Sequence, residues 1–319
     1  MNNKVTVTGM EVKTKTSSNL YVQTILADAT SLPEDSGYKA SESQAIKGIL
    51  EPVSTTTANS SAFFYHTTKT VSTEGKATES GAVYIDYDVT GVTTATNSSA
   101  YTDKFSENYD VDKTGANSLI SGHNKAVAYV DYVVILKAVN VGAASNIYLD
   151  YANLIYNGVG FIGAKSYRLA IFTEKWDGSA FGSMSLLTIL APAEAANFTP
   201  GKAVSTTDSL DTVTYGTEAV ITPVAANTTE YYRVTARLYL EGEDDTCNNE
   251  TFMLLTSNWT LELAFSLATS GTGATTISQY ESKTVSGVLT YWDGTKKYTS
   301  LTDLDSGVAT DKVAWDALS

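Results

Sequence analysis

The stretch "KAVAYVDYVVILKAVN" (125–140) limits the fold more than any other part of this chain. Its centre, "YVVIL", is apolar at successive positions. Successive side chains of a strand point to opposite faces, so both faces of this one must be covered. Such a run belongs in the middle of a sheet with a layer on each side.

Strand-like segments recur along the chain. "NLYVQTILA" (19–27) leads to Pro33 and an acidic turn, and "IKGILEPV" (46–53) ends in a proline. "SGAVYIDYDVTG" (80–91) puts Val83, Ile85, Tyr87 and Val89 on one face and Tyr84, Asp86 and Asp88 on the other. "NIYLDYANLIYNG" (146–158), "SYRLAIFTEKWDG" (166–178) and "SMSLLTILA" (183–191) continue the series. "TEYYRVTARLYLEGEDD" (229–245) aligns Val234, Ala236, Leu238 and Leu240, and "NWTLELAFSL" (258–267) alternates too. Between these two, "NNETFMLLTSN" suits one or two helical turns. "SKTVSGVLTYWDGTKKYTS" (282–300) reads as a hairpin turning on Asp-Gly, a pair that tolerates positive φ. Segments 55–79, 91–124 and 192–230 are polar and read as long loops.

Thr, Val and Tyr are abundant, and all three favour strands. The expectation is an all-β protein: a jelly-roll or Greek-key β-sandwich with long polar loops and a short helix in a crossover. Residues 1–268 form the sandwich. Residues 269–319, beyond the Gly/Ser/Thr-rich stretch "ATSGTGATT" (268–276), are either a C-terminal extension with a β-hairpin or further strands of the same sandwich.

A net charge of −14 argues against nucleic acid and anionic lipid as partners, since both call for a Lys/Arg face. No apolar run approaches the length of a membrane-spanning helix. Cys247 is the only cysteine, so no intramolecular disulfide forms. The two histidines, His66 and His123, lie in polar loop-like sequence and supply no H-E-x-x-H motif. Asp86, Asp88, Asp131 and Glu174 read as solvated or cross-strand charges, and no catalytic constellation is expected. Two acidic loops carry clustered oxygen donors of the kind that suit calcium: Glu107, Asp110 and Asp112, and Glu241, Glu243, Asp244 and Asp245. Tyr129, Tyr132, Tyr148, Tyr151, Tyr231, Tyr232 and Tyr239 fall on strands, where a stripe of rings either packs or stacks on glycans.

The opening, "MNNKVTVTGMEVKTKT", is a strand with no partner beside it in sequence. Val5 and Val7 alternate with polar residues. After Gly9 the alternation resumes at Met10 and Val12, shifted by one, which marks a bulge at Gly9.

Three segments together resemble a known family. The opening resembles the segment after the leader in secreted proteins released by a SipW-type signal peptidase. "YVDYVVILKA" with "YRLAIFTEKWDG" resembles their middle, and "YYRVTARLYLEGEDDTCNNETFMLLTSNWTLELAFSL" their C-terminal part. These are the TasA/camelysin-like proteins of Gram-positive bacteria. The resemblance implies a jelly-roll sandwich, secretion with the leader already removed, and assembly into extracellular fibres of a biofilm matrix. In such fibres the first strand of one subunit completes the sheet of the next. Carried over, residues 4–12 are the donor strand, with Val5, Val7, Gly9, Met10 and Val12 entering a groove flanked by a major strand such as 127–137 or 232–240; the other reading of 4–12 is a strand paired inside its own domain. Copies of the chain are then its partners. The alternatives are a monomeric surface adhesin that contacts glycan or cell wall, and a viral structural jelly roll.

Overall fold

A computed structural model describes residues 5–25, 29–50, 52–58, 61–67, 82–88, 91–93, 129–158, 163–193, 202–203, 213–214, 221–241, 244, 247, 259–301 and 312–318. The strands in chain order are β1 (Val5–Thr16), β2 (Leu20–Thr24), β3 (Ser41–Leu50), β4 (Pro52–Ala58), β5 (Ser61–Thr67), β6 (Ala82–Asp88), β7 (Gly91–Thr93), β8 (Tyr129–Asn140), β9 (Ser145–Asn157) and β10 (Tyr167–Lys175). They continue as β11 (Ser185–Leu190), β12 (Lys202–Ala203), β13 (Val213–Thr214), β14 (Ile221–Val224), β15 (Thr228–Glu241), β16 (Trp259–Ala268), β17 (Ile277–Val285), β18 (Val288–Trp292) and β19 (Lys297–Tyr298). A short α-helix, α1 (Lys312–Ala317), follows.

The fold is all-β, with two sheets packed face to face. The first sheet runs β19-β18-β17-β9-β16-β1-β3, with β14 also on β9. The second is built on β15, which pairs antiparallel with β10 on one side and with β8 on the other, and β2 lies beyond β8. β11 lies beyond β10, and β4 to β7 continue from the end of β15. Among the described residues three strand pairings are parallel: β1 with β16, β9 with β17, and β4 with β15.

Between the sheets, alternate residues interlock. The first sheet contributes Val12, Leu149, Leu261, Leu263 and Phe265, and the second contributes Val134, Leu136, Val234, Ala236 and Leu238. β8 behaves as its sequence requires. It sits between β2 and β15, and its outward residues Val133 and Ile135 are buried as fully as the inward Val134 and Leu136.

The second sheet's outward face also buries charge in cross-strand pairs. Arg237 grips Asp131 in two parallel bonds, Nε–Oδ1 and Nη2–Oδ2, each 2.8 Å. Arg233 holds Glu174, with Nε to Oε2 at 2.6 Å, and lies 4.3 Å from the Phe181 ring centroid. Asp131 and Glu174 are thus cross-strand charges.

The polar segments differ from their sequence reading. Within 55–79 lie the end of β4 and all of β5, which carries His66, so that histidine is on a strand rather than in a loop. β7 opens the segment 91–124, and β12, β13 and β14 fall inside 192–230. "PVSTTTA" looks polar because threonine is hydrophilic, yet its β-branched backbone preference is that of valine. The candidate crossover helix in 248–258 lies outside the described residues.

The C-terminal segment belongs to the same sheet. β17 pairs with β9 over Ile277–Ser282, and β18 and β19 follow as hairpins. The two-residue turn is Ser286-Gly287, both with positive φ (50° and 81°), rather than Asp-Gly. Asp-Gly serves the next turn instead. Asp293 Oδ1 accepts from the Thr295 and Lys296 amides at 2.8 Å each, while Gly294 takes φ +103°. "WDGS" at 176–179 repeats this device, with Asp177 Oδ1 accepting from the Ser179 and Ala180 amides and Gly178 at φ +107°.

Burial pushes the Asp293 carboxyl up, but the Tyr298 hydroxyl and the Lys296 and Thr295 amides outweigh it, so the group titrates below its ordinary 3.8. A depressed folded value contributes stability that is present above the unfolded value and is lost as pH falls through the folded one. The β18–β19 turn therefore loosens only below pH 3.8. The Thr295 and Lys296 amide resonances should move with a midpoint under that value, and Asp293→Asn should abolish the titration. A midpoint above it would contradict this account.

Candidate functional site

β1 is the element with the most distinctive setting. It fills a slot in the first sheet, antiparallel to β3 on one edge and parallel to β16 on the other. Within the single chain the slot walls are thus 41–50 and 259–268, while 129–137 and 232–240 belong to the opposite sheet. Nor does the single chain leave this strand unpaired, because its own β3 and β16 flank it. Glu11 to Thr16 lie beside Thr260 to Phe265, while Met10 to Lys15 face Ile46 to Ser41.

The register slips where the sequence changes phase. Val7 opposes Gly48 and Met10 opposes Ile46, so Thr8 and Gly9 together stand against Lys47. That two-against-one arrangement is a bulge. It brings Met10, Val12 and Thr14 onto the inward face, where Met10 is 2 % and Val12 0 % exposed. Of residues 5–9, including Val5, Val7 and Gly9, the backbone alone is described. Glu11, Lys13 and Lys15 face outward; Ser43 Oγ donates to Glu11 at 2.8 Å, and Lys15 Nζ stands 5.1 Å from the Tyr151 ring centroid.

Three residues, Ser17, Ser18 and Asn19, carry the chain from β1 in one sheet to β2 in the other. Ser17 N–H donates to Phe265 O at 3.0 Å, Ser17 Oγ accepts from Leu267 N–H at 3.0 Å, and Asn19 O accepts from Val139 N–H at 2.8 Å. Asn19 has φ +63°, the left-handed region that asparagine tolerates better than most residues. The hinge is therefore tight, stitched to both sheets and bent at a residue suited to bending.

The other candidates are placed as follows. Glu107, Asp110, Asp112, Glu243 and Asp245 lie outside the described residues. Glu241 and Asp244 are buried, and Asp244 Oδ2 accepts from Arg168 Nη2 at 2.9 Å with neither side chain exposed. Among the described residues no three acidic, His or Cys side chains gather as a metal group. Burial first, then the nearby Glu241 and Asp244 carboxylates, pushes the Cys247 thiol up to about 12, so it stays protonated and poorly nucleophilic at neutral pH. Of the tyrosines, Tyr132, Tyr148, Tyr232 and Tyr239 are buried, while Tyr151 and Tyr231 are partly exposed on different sheets. Tyr129 has only its backbone described. These rings do not form one exposed stripe. Sequence reasoning missed the Arg168–Asp244 pair and did not name Arg237 as the partner of Asp131, though a charge inside a two-faced apolar run is itself a signal that a partner is needed.

No protein-family model, curated protein or solved structure matches this chain.

Proposed function

We propose that the chain is a structural subunit of an extracellular filament, polymerising head-to-tail by exchange of strand 5–16 between copies. One observation carries this reading: β1 fills a slot between two strands of its own sheet, held to the rest by a three-residue hinge. An identical strand from a second copy offers the same slot the same ladder and the same inward Met10 and Val12. If the hinge straightens, β1 leaves its own sandwich and completes another. Donated in one direction from copy to copy, the contact is heterologous and propagates as a fibre. The extracellular setting is supported by the single cysteine, the richness in Thr and Ser, and the family resemblance of three segments.

Exchange replaces contacts with identical ones, so the balance between monomer and fibre depends on concentration and on the hinge. The barrier is high, because two ladders and the hinge hydrogen bonds must break first. The test is a lock. Glu11 and Ala45 are cross-strand neighbours on β1 and β3, and both are exposed. Cysteines at both positions should close a disulfide across antiparallel strands, whose Cα spacing suits one. The oxidised Glu11→Cys, Ala45→Cys chain is expected to stay monomeric where the native chain forms filaments by electron microscopy, and reduction should restore them. Filaments from the oxidised chain would overturn strand exchange. A native chain that stays monomeric at millimolar concentration would overturn the filament itself.

A further inference from the structure

The C-terminal helix is held like a bound peptide. α1 has six residues, far fewer than an isolated helix needs in water, so its conformation comes from what grips it. Trp315 is fully buried, although it is the largest side chain of the segment. Its indole stacks on Trp292, with centroids 5.9 Å apart and planes at 20°, and Nε1 donates to Glu281 Oε2 at 2.9 Å. Glu281 is itself fully buried. Lys283 Nζ caps the end of the helix by donating to the carbonyls of Trp315, Asp316 and Leu318. It also lies 4.7 Å from the Trp315 ring centroid. Lys312 stands over Trp292 and pairs with Asp316.

The receiving surface is built by strand alternation. In β17, Ile277, Gln279 and Glu281 share one face. Ile277 belongs to the sandwich core, whereas Glu281 meets α1. Trp292 on β18 is in register with Glu281 and so presents its ring on the same side. The first sheet thus offers a stacking ring, a buried acceptor and a cation that reads backbone carbonyls. Those are the parts of a sequence-reading peptide site.

We infer that Glu281, Lys283 and Trp292 form a recognition site for a tryptophan-bearing C-terminal segment, filled by residues 312–318 of the same chain in dilute solution and by those of a second copy where copies are crowded. Because residues 312–318 belong to the same chain as the site, they compete as an intramolecular ligand, and a second copy takes their place only at high local concentration. The partner chemistry is fixed by the fit: an indole with a free N–H, one turn of helix and carbonyls within reach of Lys283. This inference is independent of β1.

The test uses full-length chains. Trp315→Ala leaves the site without its indole, and the probe is a synthetic peptide of residues 311–319, DKVAWDALS. The peptide should bind Trp315→Ala at one to one, bind the native chain about tenfold or more weakly because the tethered segment competes, and lose about a hundredfold when its own tryptophan is alanine. No binding to a folded Trp315→Ala chain at about 1 mM would overturn the site. For the second-copy arm, Trp315→Ala is mixed with Trp292→Ala, both carrying the oxidised 11–45 lock that blocks strand exchange. The mixture should form a one-to-one complex in sedimentation that neither chain forms alone. A mixture that stays monomeric would overturn exchange of the segment between copies. If Trp315→Ala fails to fold, competition on the native chain decides. Excess peptide should shift the Trp315 indole N–H resonance to its free position, and an unmoved resonance refutes the site.

Discussion

Arg237→Ala should cost about 3–5 kcal/mol of folding stability. The guanidinium meets Asp131 in two bonds of 2.8 Å across the β15–β8 pair, where the two residues stand directly opposite. Asp131 is 2 % exposed, so removing the arginine takes the counter-charge from a carboxylate set away from water. Loss of contact with Phe172, whose ring centroid lies 5.1 Å from the guanidinium, adds a packing term. Replacing both partners by leucine should recover most of the loss, because a buried ion pair and apolar residues of similar size are nearly equivalent in net stability. Urea unfolding midpoints of the single and double variants check this. A single variant within about 0.5 kcal/mol of the native chain, as for a surface substitution, would mean that Asp131 finds other support. A double variant as unstable as the single would mean that the pair sets the geometry of β8 and β15.

Val12→Asp should be the most damaging change in the slot. Val12 is fully buried on the inward face of β1, among the residues of the common core. Burying a valine side chain contributes about 1.5–3 kcal/mol, and an unpaired carboxylate in its place adds a penalty of several kcal/mol. The strand cannot dock in that form, and the slot between β3 and β16 is left open. The expected result is a chain that unfolds at much lower urea or stays partly open. Adding a synthetic peptide of residues 5–16 in excess should restore the native midpoint by supplying a competent strand. A folded, peptide-indifferent Val12→Asp chain would show that the sandwich does not need this strand. Lys13→Gln, one position along and facing outward, is the control: it loses only the exposed pair with Glu11 and should change stability by less than about 1 kcal/mol.

Some of this was legible from residue order alone. The doubly apolar centre of 125–140 placed β8 in the interior, and the phase change at Gly9 placed the bulge, because both are consequences of a two-residue period. The partner of β1 was not legible. Residues 11–16 pair with 260–265, and nothing local announces a choice made across most of the chain. Hydrophobicity also misled at 55–58, where the threonine-rich end of β4 looks like a loop until side-chain branching is weighed instead of polarity. At the C-terminus, two adjacent turn signals competed. Ser286-Gly287 took the tight turn, and Asp293 used its carboxylate to shape a wider one. The burial of Trp315 depends on a pocket assembled from β17 and β18, so the sequence around it carries only an isolated aromatic in a short amphiphilic stretch.

The pairing of β1 with β16 also sets a schedule. The ribosome makes the first strand early, yet one of its two neighbours emerges only when residues 260–265 have been added. At about 5–20 residues per second, that interval is roughly 10–50 s. Throughout it, a nascent β1 has at most one of its two lateral neighbours. For this topology, the first strand made is therefore among the last to have both of its edges paired.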